Sequence, residues 1–243
     1  MIKPTGSLIM IVFFCSALAH GGADVVNTSA GPLEINCLGH ASLMLVFNHK
    51  VIHVDPYSRM ADYASLPDAD LILITHQHGD HLDPAAIQAI RQANTRILCS
   101  SACVKALPEA EPMRNGDTRE ACGIHIIAVP AYNIVHQRSE GVFYHPRGEG
   151  NGYVLEFGDT RVYIAGDTEN TPEMKALKEI DIAFLPINLP YTMTAEMVVD
   201  AVKALKPAVL YPYHFAFGTT EIDQLIKSMR DFPETELRVR NKP

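Results

Sequence analysis

The chain has 243 residues, 47% hydrophobic and 20% charged, the balance of a globular protein and not of a disordered, collagen-like or polytopic membrane chain. Its 20 Lys and Arg against 28 Asp and Glu leave a formal charge of -8, which offers no attractive long-range field to DNA, RNA or an anionic membrane. At this length about 70% of the unfolded surface can be buried, so folding does not require disulfide staples.

Residues 1–19 have the form of a secretory signal peptide. Lys3 supplies the basic start, an apolar run extends from Leu8 to Phe14, and Ala17-Leu18-Ala19 has the small-x-small form of a cleavage site. The run is shorter than the roughly 20 apolar residues of a membrane span. Cleavage before His20, export to the periplasm or beyond, and no stable membrane span afterwards are expected. Residues 20–32 read as an N-terminal extension and residues 33–243 as a single domain. Export favours disulfides, yet Cys37, Cys99, Cys103 and Cys122 show neither a C-x-x-C pair nor zinc-finger spacing. They are expected to be buried free thiols.

From residue 33 strands and helices alternate. Residues 33–38, 42–47 and 51–54 read as short strands joined by tight turns. Residues 71–75 form a continuous apolar run, as in a strand covered on both faces. Asp83-Pro84 is an N-cap and first-turn proline opening a helix to about residue 93. A strand at 96–99, a short helix at 102–107 and a strand at 123–129 follow. Residues 153–157 and 161–165 form a hairpin across Gly158-Asp159. A short helix at 172–178, a strand at 182–185, a capped helix at 194–205, a strand at 208–211, a helix at 221–229 and a strand at 236–239 complete the series. The order of elements repeats from Tyr153, so one domain of two similar halves, with helices covering a mixed sheet on both sides, is expected.

The chemistry concentrates in Thr75-His76-Gln77-His78-Gly79-Asp80-His81, directly after the apolar strand. His76 and His78 alternate and can face one side. Gly79 permits a sharp turn that brings Asp80 and His81 in from another direction. Three imidazoles and a carboxylate on one loop suit two metal ions better than one tetrahedral centre. Asp167 and His214 each lie just beyond an apolar strand, where ligands of neighbouring strands converge on one crevice. Gly148-Glu149-Gly150-Asn151-Gly152 lacks the strand-turn-helix setting of a phosphate loop and reads as a tight loop bringing backbone close to the site.

The His-x-His-x-Asp-His series, a middle histidine, Gly166-Asp167-Thr168 and His214 resemble the ligand series of the metallo-β-lactamase superfamily. The closer likeness is to small metal-dependent hydrolases related to ascorbate-6-phosphate lactonase, through Gly39-His40-Ala41, Val54-Asp55-Pro56, Tyr132-Asn133, His145-Pro146-Arg147-Gly148, Leu189-Pro190-Tyr191-Thr192 and Tyr213-His214-Phe215. The resemblance implies a four-layer αββα sandwich with a dinuclear metal site at its rim. His76, His78 and His145 would hold one divalent ion, with His136 the alternative to His145. Asp80, His81 and His214 would hold the other, and Asp167 would bridge. Zinc suits the imidazole-rich set, and the carboxylates admit manganese or iron.

The expected reaction is hydrolysis of an ester, lactone, amide or phosphoester of a small molecule. A water shared by the ions would lose a proton near neutral pH, with Asp80 and Asp167 orienting it. His40 and Asp55 read as groups that support the ligands from behind or stand on the substrate side, and Tyr191 is a substrate-side candidate. His49, His53 and His125 have no place in the series. An exported metal-binding protein without turnover is the alternative. Specificity is expected to reside in the long stretches 58–68 and 133–144.

Overall fold

The computed structural model describes residues 22–216 and 218–240. The expected signal peptide and its cleavage site therefore lie outside the described residues. The first sheet contains β1 (Asp24–Thr28), β2 (Gly31–Gly39), β3 (Ser42–Phe47), β4 (Lys50–Val54), β5 (Ala69–Ile74), β6 (Arg91–Ser100) and β7 (Glu111–Met113), hydrogen-bonded in that order. Strands β1 to β4 form an antiparallel meander, and β4 to β7 run parallel. β8 (Thr118–Ala121) and β9 (Ile124–Ala131) open the second sheet, and β10 (Gln137–Ser139) and β11 (Val142–Phe143) pair as a separate ribbon. The second sheet continues with β12 (Gly150–Phe157), β13 (Thr160–Ile164), β14 (Ile182–Pro186), β15 (Val209–Tyr213) and β16 (Glu236–Leu237), in the order β16-β15-β14-β13-β12-β9-β8.

Side-chain alternation explains why the central strands read as unbroken apolar runs. Leu71 and Leu73 of β5 enter the core between the sheets, whereas Ile72 and Ile74 face a second core outside the first sheet. Tyr153, Leu155 and Phe157 of β12 enter the same inter-sheet core, while Val154 faces the outer side of the second sheet. Helix α1 (Pro84–Ile90) covers the first sheet, and α2 (Pro172–Ala176), α3 (Ala195–Leu205) and α4 (Thr220–Ser228) cover the second. The layers are thus αββα, with two mixed sheets in place of the single one read from element order.

Several local expectations are corrected. Residues 24–28, within the expected extension, form edge strand β1 of the first sheet, and Tyr211 Oη donates to Asp24 Oδ2 at 2.7 Å to tie that strand to the second. Helix α1 stops at Ile90 because Arg91 is already extended and pairs with Ala69. The expected helix at 102–107 is only a 3-10 turn, Ser101–Cys103. The short strands β7, β8, β10 and β11 carry no apolar alternation long enough to read. Cys37, Cys99, Cys103 and Cys122 are free thiols, and burial pushes Cys37 up to about 12.

His53 lies wholly buried on β4, and its Nε2 is 3.1 Å from the Pro67 carbonyl oxygen, to which it donates. Burial lowers its pKa to about 4, and the Pro67 hydrogen bond offsets this only in part. The unfolded chain then binds the extra proton between pH about 6.5 and about 4, so stability falls as pH drops through that window. His53→Gln should flatten this loss, by up to about 3 kcal/mol. Urea midpoints of the two proteins at pH 7.5 and 4.5 measure it; identical acid losses would remove His53 as the cause.

Candidate metal centre

The site sits where the strands of both sheets end. β5 delivers Thr75 and the loop carrying His76, His78, Asp80 and His81. That loop is closed by hydrogen bonds from His81 N and Leu82 N to His78 O at 3.0 and 2.8 Å. Asp83 then caps α1 by accepting from Ala85 N at 2.9 Å and Ala86 N at 3.3 Å. Asn151 N donates to Thr75 O at 2.9 Å, and Tyr153 Oη donates to Ile74 O at 2.8 Å, stitching the second sheet to the end of β5.

Close backbone approach requires glycine here. A Cβ on Gly152 would lie 2.7 Å from Ala165 O, and one on Gly166 would lie 2.7 Å from Asn151 O. Gly166 also has φ +66°, which turns the chain so that Asp167 enters the crevice. His40, Asp55 and His214 hold φ of 49°, 44° and 56°, conformations that cost of order 1–3 kcal/mol each and persist where the surroundings over-determine them. His214 N donates to His40 O at 2.8 Å, part of that determination.

Three sets of donor atoms converge, each within 4.8 Å: His76, His78 and His145; His40, Asp80, His81 and His214; and His76, His81 and Asp167. His76 Nε2 lies 3.0 Å from His78 Nδ1. Asp167 Oδ2 lies 3.3 Å from His145 Nε2 and 3.2 Å from His214 Nε2, and Asp167 Oδ1 lies 3.4 Å from His81 Nε2. Asp167 therefore touches both the first and second sets. His40 joins the second set through Asp80 Oδ2, 2.9 Å from its Nε2.

The far nitrogens are anchored by groups behind the crevice, which fixes the tautomers. Asp55 Oδ2 accepts from His81 Nδ1 at 2.7 Å and from Thr75 Oγ1 at 2.6 Å, while Asp55 Oδ1 accepts from Thr75 N at 2.8 Å. Asp55 has no exposed surface and lies beneath His81, the supporting one of the two positions open to it, and not on the substrate side. His145 Nδ1 donates to Asn133 Oδ1 at 2.8 Å, and Thr75 Oγ1 lies 3.0 Å from His76 Nδ1. Thr75 and Asn133 stand in segments singled out in the sequence but carried no assigned role there, and Asn188, whose amide lies 3.3 Å from His214 Nδ1, had no motif of its own.

The donor set fits a cation. His81 Nε2, Asp167 Oδ1 and His214 Nε2 are buried atoms with no hydrogen-bond partner among the described residues, and native proteins seldom leave such atoms unmatched. Burial would raise the Asp167 carboxyl, but His214 and His81 hold it well below the usual carboxylate range. Burial would lower His81, yet Asp167 and Asp55 hold it well above the ordinary histidine value. Burial would likewise raise Asp80, and the neighbouring His214 and His40 imidazoles keep it well below the usual carboxylate range. Burial, with His81, drives His76 well below 6.5 and leaves it a neutral donor.

His136 is placed elsewhere: its Nδ1 lies 2.6 Å from Glu169 Oε1, and it enters none of the donor sets. Tyr191 is exposed at the rim, its ring 5.1 Å from that of Tyr144. His125 pairs with Glu156 at 3.1 Å, and His49 turns between β3 and β4.

A family profile described as "Beta-lactamase superfamily domain" matches residues 34–214. A UPF0173 metal-dependent hydrolase of Thermococcus onnurineus is 33% identical over 197 residues, covering 75% of this chain and 84% of its own. The chain belongs to the metal-dependent hydrolases of the metallo-β-lactamase superfamily. Within that superfamily, a crystal structure from Parabacteroides distasonis, classed as a metal-dependent hydrolase, superposes with TM-score 0.85 at 46% identity, covering 92% of this chain and 100% of that one. Two more distant structures share the fold. Igni18, a metallo hydrolase of Ignicoccus hospitalis, has TM-score 0.71 at 23% identity, covering 86% and 95% of the two chains. CmlA, a diiron β-hydroxylase of Streptomyces venezuelae, has TM-score 0.69 at 17% identity, covering 91% of this chain and 53% of that one.

The geometry separates the two middle histidines. His145→Ala should lose bound metal as counted by elemental analysis, whereas His136→Ala should retain the wild-type content. Equal retention in both variants would remove His145 from the donor set.

Proposed function

We propose that this hydrolase works with two divalent ions, one held by His76, His78 and His145 and the other by Asp80, His81 and His214, with Asp167 between them. The observation that carries this reading is the position of Asp167, whose Oδ2 stands 3.3 and 3.2 Å from imidazoles of the two donor sets. Zinc suits the imidazole majority, and manganese or iron is admitted by the carboxylates. When bound, such ions supply Lewis acidity and an acidified water for hydrolysis.

The chain's own groups do the positioning. Asp167 offsets the mutual repulsion of two cations and holds both halves of the site in register. Asp80, its side chain 36% exposed, is the more accessible carboxylate and stays ionised near neutral pH, fit to accept a hydrogen bond from an attacking water. His40, half-buried beside it, is oriented by that carboxylate through its Nε2 at 2.9 Å. Asp55 and Asn133 keep His81 and His145 from rotating. Gln77, Tyr144, Pro146 and Glu149 line the crevice beside the first donor set. The acidic chain argues against nucleic acid. Esters, lactones, amides and phosphoesters are the substrate classes compatible with this reading, lactones having the support of the sequence resemblance.

Asp167→Asn keeps the shape and removes the charge. It should bind closer to one metal per chain, and its turnover should fall by more than the roughly 10–100-fold typical of outer-shell partners. Metal counting together with rates on lactone, phosphodiester and acyl-amide panels tests this. Two tightly held metals at full activity would reduce Asp167 to a turn residue. Two metals in the wild-type protein with no turnover on any panel would favour the alternative, a metal-binding protein of this fold.

Residues 1–19 support export. Intact mass of protein recovered outside the cytoplasm should correspond to a chain beginning at His20, and mass including residues 1–19 would overturn it. Among the described residues no helix is long and apolar enough to cross a membrane.

A further inference from the structure

Six large hydrophobic side chains are exposed among the described residues, and four of them, Ile134 (41%), Val135 (58%), Val142 (51%) and Tyr191 (45%), belong to the segments around His145. Scattered exposed apolar residues are ordinary, but a group packed beside a crevice, as Tyr191 packs on the crevice-lining Tyr144, offers a binding surface. Hydrogen bonds bring these segments together. Asn133 N donates to His145 O at 2.9 Å, and Asn133 Nδ2 donates to Tyr191 O at 2.9 Å. Ile134, Tyr144 and Tyr191 are therefore neighbours of the first donor set, and the Tyr144 and Tyr191 rings meet edge to face at 78°.

The wall is rigid. Glu169 has no exposed surface, and its carboxylate accepts from Ile134 N at 2.7 Å, Val135 N at 2.6 Å and His136 N at 2.7 Å, with Asn133 Nδ2 at 3.1 Å and the His136 ring at 2.6 Å. Burying a carboxylate is costly unless it is fully bonded. Here its bonds hold a loop that presents apolar side chains outward, a preorganised surface. The cations nearby lie on aromatic rings. Arg138 lies over the Tyr144 ring at 5.7 Å, Arg147 is paired with Glu173 and lies over Tyr132 at 5.2 Å, and Glu149 stands at the crevice.

We propose that Ile134, Tyr144 and Tyr191 form a subsite for an apolar acyl or aryl substituent of an uncharged ester, lactone or amide, whose scissile group faces the His76, His78 and His145 set. This rests on the metal-dependent reading of that set. It narrows the substrate class to compounds that carry an apolar group beside the scissile bond.

The test is calorimetric titration of the purified zinc-loaded protein with acetohydroxamate and octanohydroxamate, which share one metal-chelating head and differ in the apolar tail. Octanohydroxamate should bind about tenfold or more tighter, the gain from burying roughly two methylenes. In the double variant Ile134→Ser, Tyr191→Ser that ratio should fall to near one, while in Val25→Ser, an exposed change on remote β1, it should persist. Equal affinity of the two compounds for the wild-type protein overturns the subsite and leaves the metal reading standing. Binding of neither overturns the metal reading and the subsite with it. A concentration-dependent dimer in sedimentation that the double variant abolishes would assign the wall to self-association instead and likewise overturn the subsite.

Discussion

A carboxylate with no access to water organises this site. Asp55 accepts hydrogen bonds from the backbone and hydroxyl of Thr75 and from the ring of His81. Its partners are the first residue after β5 and the last histidine of the loop that follows, so a single side chain fixes both ends of the histidine run. A buried acid of this kind is tolerable only because each oxygen is matched. The same bonds determine which nitrogen of His81 faces inward. The positive φ of Asp55 is the local cost of placing the carboxylate there.

The two sheets meet at the site through backbone as well as side chains. Asn151 N and Tyr153 Oη reach the carbonyls of Thr75 and Ile74, so β12 and β5 close the inter-sheet core just below the crevice. Asp167 and His214 come from the second sheet, and His76, His78, Asp80 and His81 from the first. The donor sets exist only when the sandwich is assembled, which couples the electrostatics of the site to the packing of the whole core. The inward charges of Asp80 and Asp167, set among imidazoles, repel one another less when a cation lies between them.

Much of this was legible in the chain. The apolar run at β5 announced a strand covered on both faces, and the His-x-His-x-Asp-His spacing announced the donor loop. Residues with short-range signals, such as Asp83-Pro84 and Gly166-Asp167, were equally readable. Other features had no local signature. Asn133 and Glu169 act through partners far along the sequence, and Asp55 differs from a substrate-side acid only by being covered. The two-sheet layering was invisible to element order, because a strand buried between helix and sheet has the same apolar pattern as one buried between two helix layers. The short edge strands β7 and β8 owe their shape to neighbours and not to their own alternation.

Glu169 grips the loop after Asn133 by its main-chain amides. Those bonds are indifferent to the identity of the side chains at 134 and 135. The protein thus separates what holds the loop from what the loop displays, and residues at the crevice mouth can change without disturbing the Asn133 contact that steadies His145. Such an arrangement lets a lineage vary the display by point substitution while the scaffold beneath it stays intact.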